Sequence, residues 1–342
     1  MKDRIVIAAD IAKNVFECVR FKNDRQVGKV KRYKRHQFSK LLVSREKFTL
    51  VMETCSGAQH WARLARQYRH NVILIPPKVV APYRQGQKTD ANDAMAIYEA
   101  SRRHQLKASV QKTVEQQGLS TLESVRSHYQ DRKKSLGNAI RGHLAEFGLV
   151  MPKGYKSLRS QMPLILEDAE NGLPMSARLA INEYWEDWQR ANQQVLRLEK
   201  EKLKLLNKFD AAKELLKIEG IGPVSTSGLI CVLGDGSAFK RAKEAAAFIG
   251  TSPKQHSSGG KEVIIGISKT TGHKKLRAAL IQGARSVILR LAAKGKPSSD
   301  KERWLAQLIE RQGENRAAVA LANKNVRTAW ALLAHNRQYI AA

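Results

Sequence analysis

An α/β layer followed by two helical regions is the architecture this sequence predicts, and three observations carry it. Residues 1–112 hold five short apolar, β-branched runs: three in succession, then two separated by a stretch of helical spacing, the order of a layered α/β fold. Residues 113–210 are almost free of strand signals and rich in charged helix formers. Residues 211–342 read as helices punctuated by glycine and proline. The expected domains follow these limits: a mixed sheet with helices, a helical arm of coiled-coil type, and a helical C-terminal domain.

Composition narrows the partners. The chain has 342 residues, with 61 Lys and Arg against 31 Asp and Glu, a formal net charge of +30. The basic residues occur in every region, so the folded body should carry positive potential and favour a polyanion, DNA or RNA. No apolar run approaches the roughly eighteen residues a membrane helix needs. Met1-Lys2-Asp3-Arg4 has the charge order of a signal peptide, but the apolar run after it is short and stops at Asp10. Cys18, Cys55 and Cys231 are far apart, with no clustered histidines to complete a zinc site. A reducing cytoplasm is the simplest compartment.

Taken in order, Ile5-Val6-Ile7-Ala8-Ala9 reads as a buried strand ending on Asp10. Residues 15–21 alternate as a half-buried strand, and Asn23-Asp24 supplies a turn before a third strand around residues 26–30. A basic stretch, residues 29–40, precedes a strand at 48–52 that ends on Glu53. A turn, Thr54-Cys55-Ser56-Gly57, leads into a helix from residue 58, and residues 71–75 form a fifth strand closed by Pro76-Pro77. Asp10 and Glu53 are thereby delivered to the C-terminal edge, where open α/β sheets place their sites. Lys88-Thr89-Asp90-Ala91-Asn92-Asp93-Ala94 opens an amphipathic helix with Asp90 and Asp93 one turn apart on one face. An acidic first turn by itself needs no further role. Four converging carboxylates would repel one another, an arrangement that makes sense with divalent cations among them, Mg²⁺ or Mn²⁺ in its place. A pair of such ions suits phosphodiester chemistry.

Asp10, Glu53 and the Lys88-Thr89-Asp90-x-x-Asp93 helix resemble the DEDD tetrad of transposases of the insertion sequence 110 family. The resemblance implies a RuvC-like, RNase H-type N-terminal domain and the strand order that brings the four acids together. The Thr54-Cys55-Ser56-Gly57 turn is one residue longer than the Ala-Thr-Gly of many members, and marks similarity to the subgroup typified by insertion sequence 1111.

The arm carries Arg132, Lys133, Lys134 and Arg141 among apolar positions. Trp185, Trp188, Ala191, Val195, Leu198 and Leu205 recur near coiled-coil spacing, with a slip near Lys202. Pro152, Pro163 and Gly172-Leu173-Pro174 should break it into several helices. A long solvated helix pair is the plain reading; the family resemblance implies a dimerising, RNA-contacting arm.

In the last third, Leu215-Leu216-Lys217-Ile218-Glu219-Gly220-Ile221-Gly222-Pro223-Val224 has the form of a helix-hairpin-helix. Gly220 and Gly222 would let backbone N–H groups approach a phosphate, or simply cap and turn. Residues 251–261 read as a polar loop, by composition a flexible connector. The resemblance makes Ser258 in this loop the nucleophile, with Ser257 as the fallback, and His256 is the nearest base in sequence. Lys261 follows the loop. A long helix beginning near Ser268 and running through Leu291 is expected, capped by Thr271 or Gly272. Its basic first turn, His273, Lys274 and Lys275, opposes the helix dipole unless a polyanion or simply solvent faces it.

The function the resemblance implies is a DNA recombinase that excises and inserts its element through a 5′-phosphoserine linkage, with an element-encoded bridge RNA pairing with donor and target DNA. Nucleic-acid contacts are assigned to Lys88, Gly220, Gly222, Lys261, His273, Lys274 and Lys275. Strand exchange between two meeting sites implies a homo-oligomer, dimers pairing into a tetramer. Two rival readings are a metal-dependent nuclease of the Holliday-junction type, in which Ser258 is only a loop residue, and a non-catalytic nucleic-acid-binding protein.

Overall fold

The computed structural model describes residues 4–87, 89–103, 106, 108–258, 261–268 and 272–340. The N-terminal region builds one mixed sheet. Its elements are β1 (Ile5–Ile11), β2 (Val15–Lys22), β3 (Arg25–Gln26), β4 (Lys31–Lys34), α1 (Arg35–Leu42), β5 (Thr49–Glu53), α2 (Ala58–Gln67), β6 (Asn71–Ile75), α3 (Pro77–Val80) and α4 (Asp90–Ser101). The strand order is β3-β2-β1-β5-β6, with β4 also paired to β2. β1 and β2 are antiparallel, whereas β5 and β6 continue in parallel beside β1.

Asn23 and Asp24 both take positive φ, as the tight turn between β2 and β3 requires. The expected third strand splits there: β3 is two residues long, and the pairing resumes in β4, inside the basic stretch. Gly28 at φ 75° separates the two pieces. β4 lies at the edge of the sheet, so a charged Lys31-Arg32-Tyr33-Lys34 strand needs no apolar face to bury.

Strand alternation sorts the core into two faces. Ile5, Ile7, Ala9, Phe16, Cys18, Leu50 and Met52 meet α1 and α2, where Phe16, Phe38 and Trp61 stack and cross. Val6, Ala8, Val19, Phe21 and Val51 meet α4 through Ala94, Ile97 and Tyr98. This second face is also the one that carries the acids.

Beyond the sheet come α5 (Val114–Ala145), α6 (Tyr155–Glu167) and α7 (Met175–Leu206). α5 and α7 are each 32 residues long and run antiparallel, as the contacts Glu123–Lys202, Lys133–Asn192 and Arg132–Asp187 require. The slip in the apolar spacing has a physical cause. Lys202 sits at a buried position, 1% exposed, with its ammonium 3.1 Å from Glu123, and Glu123 is also held by Arg126. At the far end Ile140, Leu144, Leu158, Met162, Trp185 and Trp188 form a separate core. Pro152 and the 172–174 stretch lie where helices end, but Pro163 falls inside α6, which continues through it.

The last third is α8 (Asp210–Leu216), α9 (Pro223–Leu233), α10 (Ala242–Ile249), β7 (Pro253–Ser258), β8 (Lys261–Ile267), α11 (Lys274–Lys294), α12 (Asp300–Gln312) and α13 (Glu314–His335). Its helices share one large core that also takes in Leu119 of α5 and Leu206 of α7. The stretch expected to be a polar loop is instead a hairpin, with Ser258 paired to Lys261. The Gly-Gly between a polar run and Val263-Ile264-Ile265 is the two-residue turn signal, and the polar first strand hid it. α11 begins at Lys274 with His273 at the cap; Thr271, an expected cap, lies outside the described residues, and Gly272 precedes the cap.

Candidate active site

The site is assembled by register and parity. Ala9 pairs with Met52 where β1 and β5 run parallel, so the residues that follow, Asp10 and Glu53, stand side by side. Both belong to the face shared with Val6, Ala8 and Val51, against which α4 packs. β5 ends on Glu53, whereas β1 continues one residue past Asp10 to Ile11. α4 starts because the Thr89 side chain accepts a hydrogen bond from the Asn92 N–H at 3.3 Å. That cap puts Asp90 and Asp93 in the first turn.

Carboxylate oxygens of Asp10, Asp90 and Asp93 all lie within 4.8 Å of one another. Asp93 is 8% exposed and Asp10 is half-buried, whereas Asp90 faces solvent. Glu53 stands outside that trio and is joined to it by Arg84. The Arg84 Nη2 donates to Glu53 Oε2 at 3.0 Å while its Nε lies 2.8 Å from Asp93 Oδ1. Burial pushes the Asp10 carboxyl up to about 6; the neighbouring charges of Asp93, Asp90 and Glu53 act in the same direction and Arg84 against it.

Two features of this face escaped the sequence reading. Glu17 of β2 pairs with Asp10 of β1 on one side and with Arg32 of β4 on the other, and Arg32 Nη2 lies 2.6 Å from Glu17 Oε1. Its place in the alternation with Val19 and Phe21 was the available signal. Arg84 had no such signal, because it follows a single 3₁₀ turn, Ala81–Tyr83, in the connection to α4.

The donor set is all carboxylate oxygen, with neither imidazole nor thiolate in the trio, which suits a hard divalent ion such as Mg²⁺ or Mn²⁺. The charges of Asp93, Asp90 and Glu53 crowd Asp10, and a cation bound among these acids would favour its charged form.

The remaining expected positions are dispersed. Ser258 ends β7; its side chain lies outside the described residues, as do Lys88 and Gly259. Lys261 opens β8 and is exposed. Val263, Ile264 and Ile265 of the same strand are also exposed. Gly220 has φ 82° and Gly222 caps α9, ahead of Pro223. The two glycines line an open groove of about 690 Å³ with Lys217, Ser286 and Arg290. His273 stands against the Phe248 ring, centroids 5.1 Å apart, and burial pushes its imidazole pKa down. Lys274 is exposed, and Lys275 reaches α5, 2.6 Å from Ser127 Oγ and 3.2 Å from Asp131.

None of the helices among the described residues is long and apolar enough to cross a membrane. Residues 6–148 match a family model for DEDD transposases of the IS110 type, and residues 212–299 match one described as Transposase IS116/IS110/IS902 family. The chain is 37% identical to the transposase for insertion sequence element IS1111A of Coxiella burnetii, over 99% of this chain and 92% of that protein. It is 32% identical to the transposase for insertion sequence element IS1328 of Yersinia enterocolitica, over 96% of this chain and 97% of the other. A pilin gene-inverting protein of Moraxella lacunata is 32% identical over 133 residues, 37% of this chain and 38% of its own. With similarity along nearly its whole length and the acids of the DEDD pattern on one sheet face, this chain belongs to the IS110 family of transposases, enzymes of DNA recombination.

Proposed function

We propose that this transposase excises and inserts its element by serine attack on DNA phosphodiesters, directed by an element-encoded bridge RNA that pairs with donor and target DNA. The observation that carries the reading is the meeting of Asp10, Asp90 and Asp93 within 4.8 Å, beside Glu53, on the face of a sheet in a member of a transposase family. These four are read as holding divalent metal, Mg²⁺ or Mn²⁺, which when bound polarises a phosphate and stabilises charge on the departing oxygen. The name of the Moraxella relative, a gene inverter, accords with conservative strand rejoining.

Ser258 is the proposed nucleophile, with Ser257 beside it in the same strand. Its Oγ bonds to phosphorus as the bond from phosphorus to the 3′ oxygen breaks, and the hydroxyl proton passes to that oxygen. The product is a 5′-phosphoserine and a free 3′-hydroxyl, so the phosphoester bond is retained for rejoining to a new strand. Asp10 and Glu53 lie on the N-terminal sheet, Asp90 and Asp93 on α4 packed against it, and Ser258 on the hairpin, so the acids and the serine are assigned to regions that meet between protomers, dimers pairing into a tetramer. The functional regions are 1–112, 113–210 and 211–342, with the antiparallel α5–α7 pair acting as a coiled-coil arm that dimerises and contacts RNA. The groove at Gly220 and Gly222 and the basic residues Lys88, Lys261, His273, Lys274 and Lys275 hold backbone phosphates. Sequence choice is left to base pairing. The enzyme would act in the bacterial cytoplasm.

The test incubates purified protein with Mg²⁺, the candidate RNA and labelled donor and target DNA, then separates products on a denaturing gel. DNA covalently attached to protein in wild type, absent in Ser258→Ala and Asp90→Ala, supports the reading. Cleavage without an adduct, unchanged in Ser258→Ala, would make the enzyme a hydrolytic nuclease.

A further inference from the structure

Arg84 is the cation that joins the fourth acid to the other three. Its Nε and Nη2 reach Asp93 and Glu53 at 2.8 and 3.0 Å, so the planar guanidinium lies between two carboxylates, where an ion bridging them would also lie. Among the described residues, Arg84 is the cation that bridges Asp93 and Glu53, and the crowding of Asp10, Asp90 and Asp93 favours further positive charge. The trio Asp10, Asp90 and Asp93 shares one member with Arg84, which meets Asp93 through a single carboxylate oxygen, Oδ1. A second ion that used Glu53 would have to displace the guanidinium. The Arg84 side chain is 38% exposed, and it stands on the connection between α3 and α4, after a single 3₁₀ turn. A phosphate can therefore approach its outer edge, and a guanidinium pairs with phosphate as readily as with carboxylate, through the same planar fork.

We propose that Arg84 is an internal counter-ion that the substrate displaces. In the free protein it fills the cation position between Glu53 and Asp93 and restricts the site to one divalent ion. A DNA phosphodiester draws the guanidinium outward and leaves Glu53 and Asp93 to a second ion. Exchanging a univalent for a divalent charge between two carboxylates favours this state, and Arg84 keeps an anionic partner throughout. The site is thus complete only when nucleic acid is present, which restrains hydrolysis by the free enzyme. The inference rests on the four acids being a metal site.

The experiment titrates Mn²⁺ into full-length protein, with and without a duplex oligonucleotide, and reads electron paramagnetic resonance, in which two adjacent Mn²⁺ ions give a coupled signal that isolated ions lack. Wild type is expected to show one uncoupled protein-bound Mn²⁺ without DNA and the coupled pair once DNA is added. Arg84→Gln is expected to show the pair without DNA, its second ion binding about tenfold tighter than in wild type, the worth of one unit charge removed from beside a divalent ion even when water screens it. Arg84→Lys keeps the charge without the two-armed fork and should fall between. A coupled pair in DNA-free wild type, or an Arg84→Gln protein of unchanged circular dichroism that still binds one uncoupled ion, would overturn the proposal and leave the metal site standing. Absence of protein-bound Mn²⁺ from wild type, with Asp90→Asn no different, would instead overturn the metal reading and this inference with it.

Discussion

Replacing Gly283 by alanine should be among the most damaging single-methyl changes in the C-terminal core. Gly283 lies in α11 with its Cα face against the backbone of Gly220, and a Cβ built there would overlap the Gly220 carbonyl oxygen and sit 2.9 Å from its carbon. Neither group is a flexible side chain, so the helix or the 218–222 turn must move. Gly220 cannot yield by changing residue type either, since its φ is 82° and its own Cβ would meet Gly283 at 3.0 Å. Overpacking of this kind belongs at the top of the usual range, about 3 kcal/mol, and the better helix propensity of alanine offsets about 1 kcal/mol. The net loss of about 2 kcal/mol should lower the melting midpoint by about 3 °C in a chain of this size. Thermal unfolding followed by circular dichroism measures it. Two controls isolate the cause: at Gly228 the nearest atoms a Cβ would meet belong to the Leu276 side chain rather than to backbone, and at Gly142 it meets nothing within 4 Å. Because the displaced turn carries Gly220 and Gly222, Gly283→Ala should also weaken duplex binding in a filter assay. A Gly283→Ala protein that melts at or above wild type would refute the backbone-to-backbone contact.

Three other perturbations probe separate parts of the molecule. In the arm, Glu123→Ala leaves the buried Lys202 ammonium without its carboxylate and should cost about 3 kcal/mol in denaturant unfolding, whereas Lys202→Met leaves Glu123 paired with Arg126 and should change stability by less than about 1 kcal/mol. At α12, the Ser298 N–H, then Lys294 and the Ser298 hydroxyl, hold the Glu302 carboxyl down at about 2. Its folded pKa lies below the unfolded one, so the stabilisation is full above the ordinary glutamate range and disappears as pH falls toward 2; stability of Glu302→Gln measured against pH should lack this dependence. In the acid cluster, Asp90→Asn removes one of three crowded charges, so the protein in chelator should melt at a higher temperature than wild type while losing strand transfer and any stabilisation by Mg²⁺, a pairing that a merely structural Asp90 would not produce.

Much of the fold was legible because the N-terminal strands are local and apolar. Ile5–Ile11, Val15–Lys22, Thr49–Glu53 and Asn71–Ile75 all fall on runs whose alternation or continuity announces them. β4 did not announce itself, since an edge strand of Lys, Arg and Tyr has no buried face to pattern. The β7–β8 hairpin was hidden for a related reason: the polar residues of β7 read as a connector, although Gly-Gly and the β-branched run after it mark a turn and its partner strand.

By itself, the sequence determined the residue types at the site and their attachment points: acids near the ends of two strand runs, and Asp90 and Asp93 one turn apart behind a threonine cap. Those are properties of short range, set by periodicity and capping. Only the tertiary structure decided that β5 lies parallel beside β1, which puts Glu53 next to Asp10, and that α4 crosses the same face. Strand order depends on contacts between residues far apart in the chain, and no local pattern encodes it. The same holds for Arg84 and Glu17, whose importance comes from what stands beside them, a guanidinium between Glu53 and Asp93 and a fifth carboxylate paired across from Asp10.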